Sequence, residues 1–202
     1  GEGDANDNDY YGLTMSRDLE LATVTGKVYQ LRGADQYTFA AGQVEGVELT
    51  EMATMGAEVV YDAEGEDFFA TTNVAVEATE ELTVTGLLEY AGTDFMTYED
   101  DLEYSSDYLL ANVGADYVLD ENNTLHGGYN YITRDQAPDT AEHRVTGGIT
   151  NTMGDFENFA NVEYTFNDGF DEDDTRLFVE ADTAFNLDAK TDLTAAMEYE
   201  TS

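Results

Sequence analysis

A chain of 202 residues with 7 basic and 45 acidic side chains has a formal charge of −38, which leaves no cationic footprint for a nucleic-acid partner. It contains no Cys, no Trp and a single Pro, Pro138, against 14 Tyr and 10 Phe, so disulfide scaffolds, thiolate chemistry and Cys-ligated zinc are excluded. Hydrophobic residues make up 42% and the aromatics run the whole length, more than a disordered acidic segment carries, so the acid belongs to an ordered fold.

Residues 1–9 read as a flexible acidic segment with neither a basic n-region nor an apolar h-region, so any targeting peptide is expected to lie outside this chain. No apolar run reaches the roughly eighteen residues a spanning helix needs. From Leu19 onward the apolar period is two, not 3.6. In chain order it runs through Ala22, Val24, Gly26 and Val28; Tyr37, Phe39 and Ala41; Ala53 to Tyr61; Phe68 to Val76; and Leu82 to Tyr90. It continues through Leu109 to Leu119, Leu125 to Tyr131, Val145 to Ile149, Phe156 to Phe166, Leu177 to Leu187 and Leu193 to Tyr199. These are about eleven strands of roughly 10 to 14 residues, long against the usual 5 to 6, with Tyr10 to Met15 as a twelfth.

The alternate positions are small and polar with scattered ions: Lys27, Glu58, Glu89, Asp116, Arg144, Glu163, Arg176, Glu180, Asp182 and Glu198 stand among Thr, Asn and Gly. From Met96 on, connections alternate between long segments (Met96 to Asp107, Thr133 to Ala141, Asn167 to Asp174) and short turns (Asp120 to Asn123, Thr152 to Asp155, Asp188-Ala189). That is an antiparallel meander with turns at one end and loops at the other, and Pro138 falls in a loop where it removes no ladder hydrogen bond. Residues 1–202 read as one domain.

Alternation does not say which face is inside. A soluble β-sandwich would hide the apolar face; a membrane barrel would turn it outward. Strand length, the loop asymmetry and the Gly/Thr/Asn-rich polar face favour the barrel. The stretches Thr124 to Thr133 (TLHGGYNYIT) and Phe185 to Tyr199 (FNLDAKTDLTAAMEY) have the turn-then-dyad texture of a porin hairpin, and over roughly residues 18–201 the chain resembles bacterial outer-membrane barrels of the porin type.

The resemblance implies an all-β, antiparallel up-and-down transmembrane β-barrel of about twelve strands in the cell outer membrane. Its partners would be the lipid bilayer and small ions or solutes, with a homo-oligomer compatible with it. It also implies an even strand count, both termini on the turn side, and an aromatic final residue. Here the chain finishes Glu200-Thr201-Ser202 and the alternation leaves the last strand on the loop side. A piece of a longer barrel, or a strand count off by one, would account for that.

In such a barrel the ten ionisable residues above line the pore. Seven carboxylates against Lys27, Arg144 and Arg176 favour cations, since acidic rings in a constriction concentrate cations and repel anions. About twelve strands leave at best a narrow path lined by side chains. The acidic excess also suits a halophilic or saline setting, where screening shortens the Debye length to about 3 Å at 1 M salt.

The acidic runs Tyr98 to Tyr104, Asp168 to Asp174 and Asp4 to Asp9 offer oxygens to Ca²⁺, but none has the spacing of a helix-loop-helix calcium site, so they read as solvated loops and no cofactor is expected. Catalysis has little support: His126 and His143 fall at opposite ends of adjacent strands, and Ser16, Ser105, Ser106 and Ser202 lie near neither. The competing reading is an acidic extracellular or surface-layer structural β-protein without channel activity.

Overall fold

The computed structural model describes residues 9–32, 36–95, 107–134, 141–167, 175–188 and 191–201. They form β1 (Asp9–Asp18), β2 (Thr23–Arg32), β3 (Gln36–Thr50), β4 (Ala53–Asp62), β5 (Asp67–Glu77) and β6 (Leu82–Ala91). The chain continues with β7 (Tyr108–Asp120), β8 (Asn123–Arg134), β9 (Glu142–Met153), β10 (Phe156–Asn167), β11 (Arg176–Asp188) and β12 (Thr191–Thr201). Each strand pairs with the next in an up-and-down order from β1 to β12, and the described registers are antiparallel. No pairing of β1 with β12 is present among the described residues.

The short turns fall where the sequence puts them, at 121–122 and 154–155, and β11 and β12 are separated by residues 189–190 alone. On the opposite side the connections lengthen only after β6; those at 33–35 and 63–66 are three and four residues. Twelve strands return the chain to the loop side on which it enters β1.

Two compact units make up the chain, one of Gly1–Val74 and Leu88–Leu109, the other of Ala75–Leu87 and Leu110–Ser202. In the first, the exposed face carries Leu13, Met15, Val24, Val28, Val59, Tyr61, Phe68 and Leu88, with Met15 71% exposed. The covered face of the same strands carries Thr25, Val60, Asp62 and Phe69, all buried, together with Lys27 and Glu58. The second unit repeats the arrangement: Val113, Tyr117, Leu125, Tyr129, Val145, Val162, Tyr164, Met197 and Tyr199 are exposed, whereas Leu110, Ile132 and Thr165 are buried. In both units the apolar face is the outer one.

One strand departs from the expected parity. The sequence assigns Tyr37, Phe39 and Ala41 to the apolar outer face, but β3 pairs with β4 through Phe39↔Asp62, Ala41↔Val60 and Gln43↔Glu58, which puts all of them on the covered face. Phe39 is 2% exposed and stacks on Tyr29 at 5.0 Å between ring centroids. Further along, the register shifts between Val44 and Val47, where Gly46 has φ +65, so these two residues, three apart, face Ala57 and Met55 on the same side. A bulge with glycine in the left-handed region is the ordinary way to insert such an extra residue.

The two faces differ in what truncation costs. Phe39→Ala should lower unfolding free energy in detergent by about 3–5 kcal/mol, the range for emptying a packed aromatic site, while Val59→Ala should change it far less. Denaturant titration of the two variants checks this, and equal losses would contradict the assignment of faces.

Candidate pore-lining face

All ten ionisable residues singled out in the sequence lie on strands, at positions alternate to the apolar set; Asp116, Arg176 and Glu198 are exposed there, and the other seven are half-buried. In the first unit, Lys27 on β2 reaches across β3 to β4, where its Nζ donates to Glu58 Oε1 at 2.9 Å. Ala41, the residue opposite Lys27 on β3, is small enough to let the lysine pass over it. Glu89 on β6 accepts from the Tyr108 hydroxyl at 3.4 Å and the Thr71 hydroxyl at 3.5 Å.

In the second unit Arg144 on β9 lies between two carboxylates, Glu163 on β10 at 3.5 Å and Glu142 on its own strand at 3.4 Å. Arg176 on β11 pairs with Glu200 on β12 at 2.9 Å. Glu142 and Glu200 are members of this face that the sequence reading passes over, although each stands two residues from a residue it names, and parity alone would have found them. Glu180 faces Glu198 directly across the β11–β12 ladder, with Asp182 two residues along. No ion pair to these three carboxylates is present among the described residues, and none to Glu89 in the first unit, whose partners are the Tyr108 and Thr71 hydroxyls.

The third grouping surrounds His126. Asp116 Oδ1 lies 2.7 Å from Nδ1 and Thr150 Oγ1 lies 2.8 Å from Nε2. An ionised carboxylate only accepts, so Nδ1 carries the ring proton, and in the neutral ring Nε2 accepts from the threonine hydroxyl. Gly148 sits directly opposite His126 on β9, which leaves room for the imidazole to reach Thr150. Thr150 becomes adjacent to His126 only through the β8–β9 register, so a search of the sequence for serine near histidine does not find it. The order Asp116–His126–Thr150 resembles a hydrolytic triad in its connectivity. His143, by contrast, is on the outer face, as its pairing with Tyr131 requires.

The outer face of the second unit has two polar boundaries. Near the turns a directed chain of four side-chain hydrogen bonds runs over five strands, β11 to β7: Thr183 donates to Asn158 (2.7 Å), Asn158 to Asn151 (3.1 Å), Asn151 to Asn123 (2.7 Å), and Asn123 to the Asp120 carboxylate (2.8 Å). Near the loops, His143 stacks on Phe166 at 4.8 Å and contacts Tyr131 and Tyr129. Between these edges the outer residues of β8 to β11 carry no charge. On β10 the span from Asn158 to Phe166 is nine residues, the length about 9–11 residues of tilted strand need to cross a bilayer.

The stretches 98–104 and 168–174, weighed for Ca²⁺, and residues 4–8 lie outside the described residues. Among the described residues no group of three or more His, Asp or Glu is gathered as a metal site.

No family of known proteins matches this chain in sequence, and no curated protein does. In structure it is similar to the NanC porin in a rhombohedral crystal form, at 10% identity and a TM-score of 0.46, over 91% of this chain and 96% of that one. At that identity and score the likeness bears on neither side chains nor activity.

At the turn, the Asn122 backbone N–H and the Asn123 amide hold the Asp120 carboxyl below its ordinary value. The unfolded chain therefore takes up the proton first, so the turn's added stability is complete above about pH 3.9 and is lost as pH falls through the lowered folded value. An NMR titration of Asp120 in detergent micelles should give a midpoint below that of a model aspartate. A midpoint at or above it would contradict the hydrogen-bonded turn.

Proposed function

We propose that the chain is a porin-like channel of the bacterial outer membrane, its strands the wall of a transmembrane β-barrel and its covered face the lining of a cation-preferring path. The observation that carries this reading is the inverted polarity of both units. A sheet that half-buries Lys27, Glu58, Arg144 and Glu163 while exposing rows of Leu, Val, Met and Tyr is poorly matched to water and well matched to hydrocarbon. Antiparallel ladders satisfy the backbone within the sheet, as a strand crossing lipid requires. The polar and aromatic edges of the outer face fit the two interfaces of such a crossing.

Cation preference follows from the charges that remain after pairing. Each of Lys27, Arg144 and Arg176 is engaged by a carboxylate, whereas Glu180, Asp182 and Glu198 have no cationic partner among the described residues. Fixed negative charge in a low-dielectric passage raises local cation concentration.

Two measurements test the proposal. Val179→Arg puts a charge on the outer face at mid-strand, where the penalty on a membrane barrel is about 2–4 kcal/mol, so this variant should fail to assemble in membranes. A Val179→Arg protein that assembles as well as the parent would oppose the membrane reading. In planar bilayers under a salt gradient, the reversal potential should show cation preference. Combining Glu180→Gln, Asp182→Asn and Glu198→Gln should reduce the cation-to-anion permeability ratio by about two- to fivefold, more than Glu163→Gln alone. A selectivity indifferent to the triple change would remove the filter, and absence of conductance would leave a structural barrel.

A further inference from the structure

The covered face of the first unit is layered. Toward the turns lies the ionic layer of Lys27, Glu58 and Glu89. Two residues nearer the loops on the same strands lie Tyr29, Val60 and Ala91, a step of about 6–7 Å along each strand. Phe39 on β3 and Phe69 on β5 belong to this second layer, and Val60, Phe69, Ala91 and Phe39 are all at most 8% exposed. Across five adjacent strands the lining has given way to rings and aliphatic groups, with the fully buried Asp62, opposite Phe39 on β4, at its loop-side edge.

Phe95 completes the layer, and it is not on a strand. The turn after β6 delivers it inward: Gly92 N–H donates to Phe68 C=O at 3.0 Å, Asp94 N–H to Asp67 Oδ2 at 3.0 Å, and Phe95 N–H to Gly92 C=O at 3.3 Å. The returning chain is fixed to the same point by Asp107 N–H on Gly92 C=O at 3.1 Å and by the Thr93 hydroxyl on the Asp107 carboxylate. Asp107 holds φ +57, a left-handed conformation uncommon in a non-glycine residue, so the neighbouring bonds over-determine it. The Phe95 ring, 5% exposed, lies 6.2 Å from Phe39 and 5.9 Å from Phe69, joining the β3 and β5 rings.

We propose that the layer of Tyr29, Phe39, Val60 and Phe69, closed by Phe95, is a hydrophobic barrier that keeps ions on the loop side from the Lys27–Glu58 layer of the first unit. An apolar constriction stops ions by shedding water, because an ion entering it must leave its hydration shell with no polar group to replace it. The role in transport rests on the channel reading; the dryness of the layer does not. Phe95 is the closing residue because its ring is the one that touches both Phe39 and Phe69 from outside the sheet.

The chain has no cysteine, so Val60→Cys gives a single thiol within the layer. With Phe95 present it should react slowly with a charged methanethiosulfonate reagent in detergent or liposomes. Adding Phe95→Ala should raise the rate by about tenfold or more, and Phe95→Ala alone should raise single-channel conductance in planar bilayers. Gly92→Ala provides a second route that keeps the ring, since a Cβ there would overlap the Asp67 carboxylate and displace the turn that carries Phe95. A Val60→Cys thiol that reacts like an exposed one with Phe95 in place would overturn the barrier, as would reactivity and conductance unchanged by both substitutions. If the thiol becomes reactive while neither protein conducts, the barrier stands and the channel reading falls; conductance with a thiol indifferent to both changes leaves the channel and removes the barrier.

Discussion

A β-strand sends alternate side chains to opposite faces, so a sheet whose faces differ must meet two different environments. Here that constraint applies from β1 to β12. The outer face needs a surrounding that tolerates rows of Leu13, Met15, Val28, Val113, Val162 and Met197, and the covered face must satisfy carboxylates, amides and hydroxyls without bulk water on every side. It does so by short-range pairing: Lys27 with Glu58, Arg144 with Glu163 and Glu142, His126 with Asp116 and Thr150. Each partner stands on a neighbouring strand, a next-but-one strand or the same strand, so these pairs depend on the register, and a slip of one residue would turn them to the apolar side.

The same constraint explains how the covered face varies along the strands. Near the turns and at mid-strand it is ionic and hydroxylated. Toward the loops it becomes aromatic in the first unit, and Leu110 and Ile132 are buried in the second. Large rings fill space where long charged side chains would lack partners, and the Tyr108 hydroxyl joins the two regimes by donating to Glu89.

Much of this was legible in the residues. Period two over long runs marks the strands, their connections mark hairpins, and the parity of Glu58, Glu163, Glu180 and Glu198 assigns them to one face. What alternation could not supply was which face is outer, because both a sandwich and a barrel satisfy it; that took the exposure of Val59, Val162 and Tyr199. The parity of β3 was misread because Tyr37, Phe39 and Ala41 look like any apolar set, and only pairing with Asp62 and Val60 turns them inward. The asparagine chain from Thr183 to Asp120 and the approach of Thr150 to His126 join residues that are 24 or more positions apart at several steps, and no local pattern announces them.

The central claim is that the apolar face meets lipid, and adjacent residues on β10 test it most directly. Single cysteines at Val162 and Glu163, labelled with an environment-sensitive fluorophore in liposomes, sample the two faces at one depth. Brominated lipids should quench the label at 162 and leave that at 163 largely unaffected, while aqueous iodide should show the opposite preference. Lipid quenching at 163 but not at 162, or at neither position, would contradict the account.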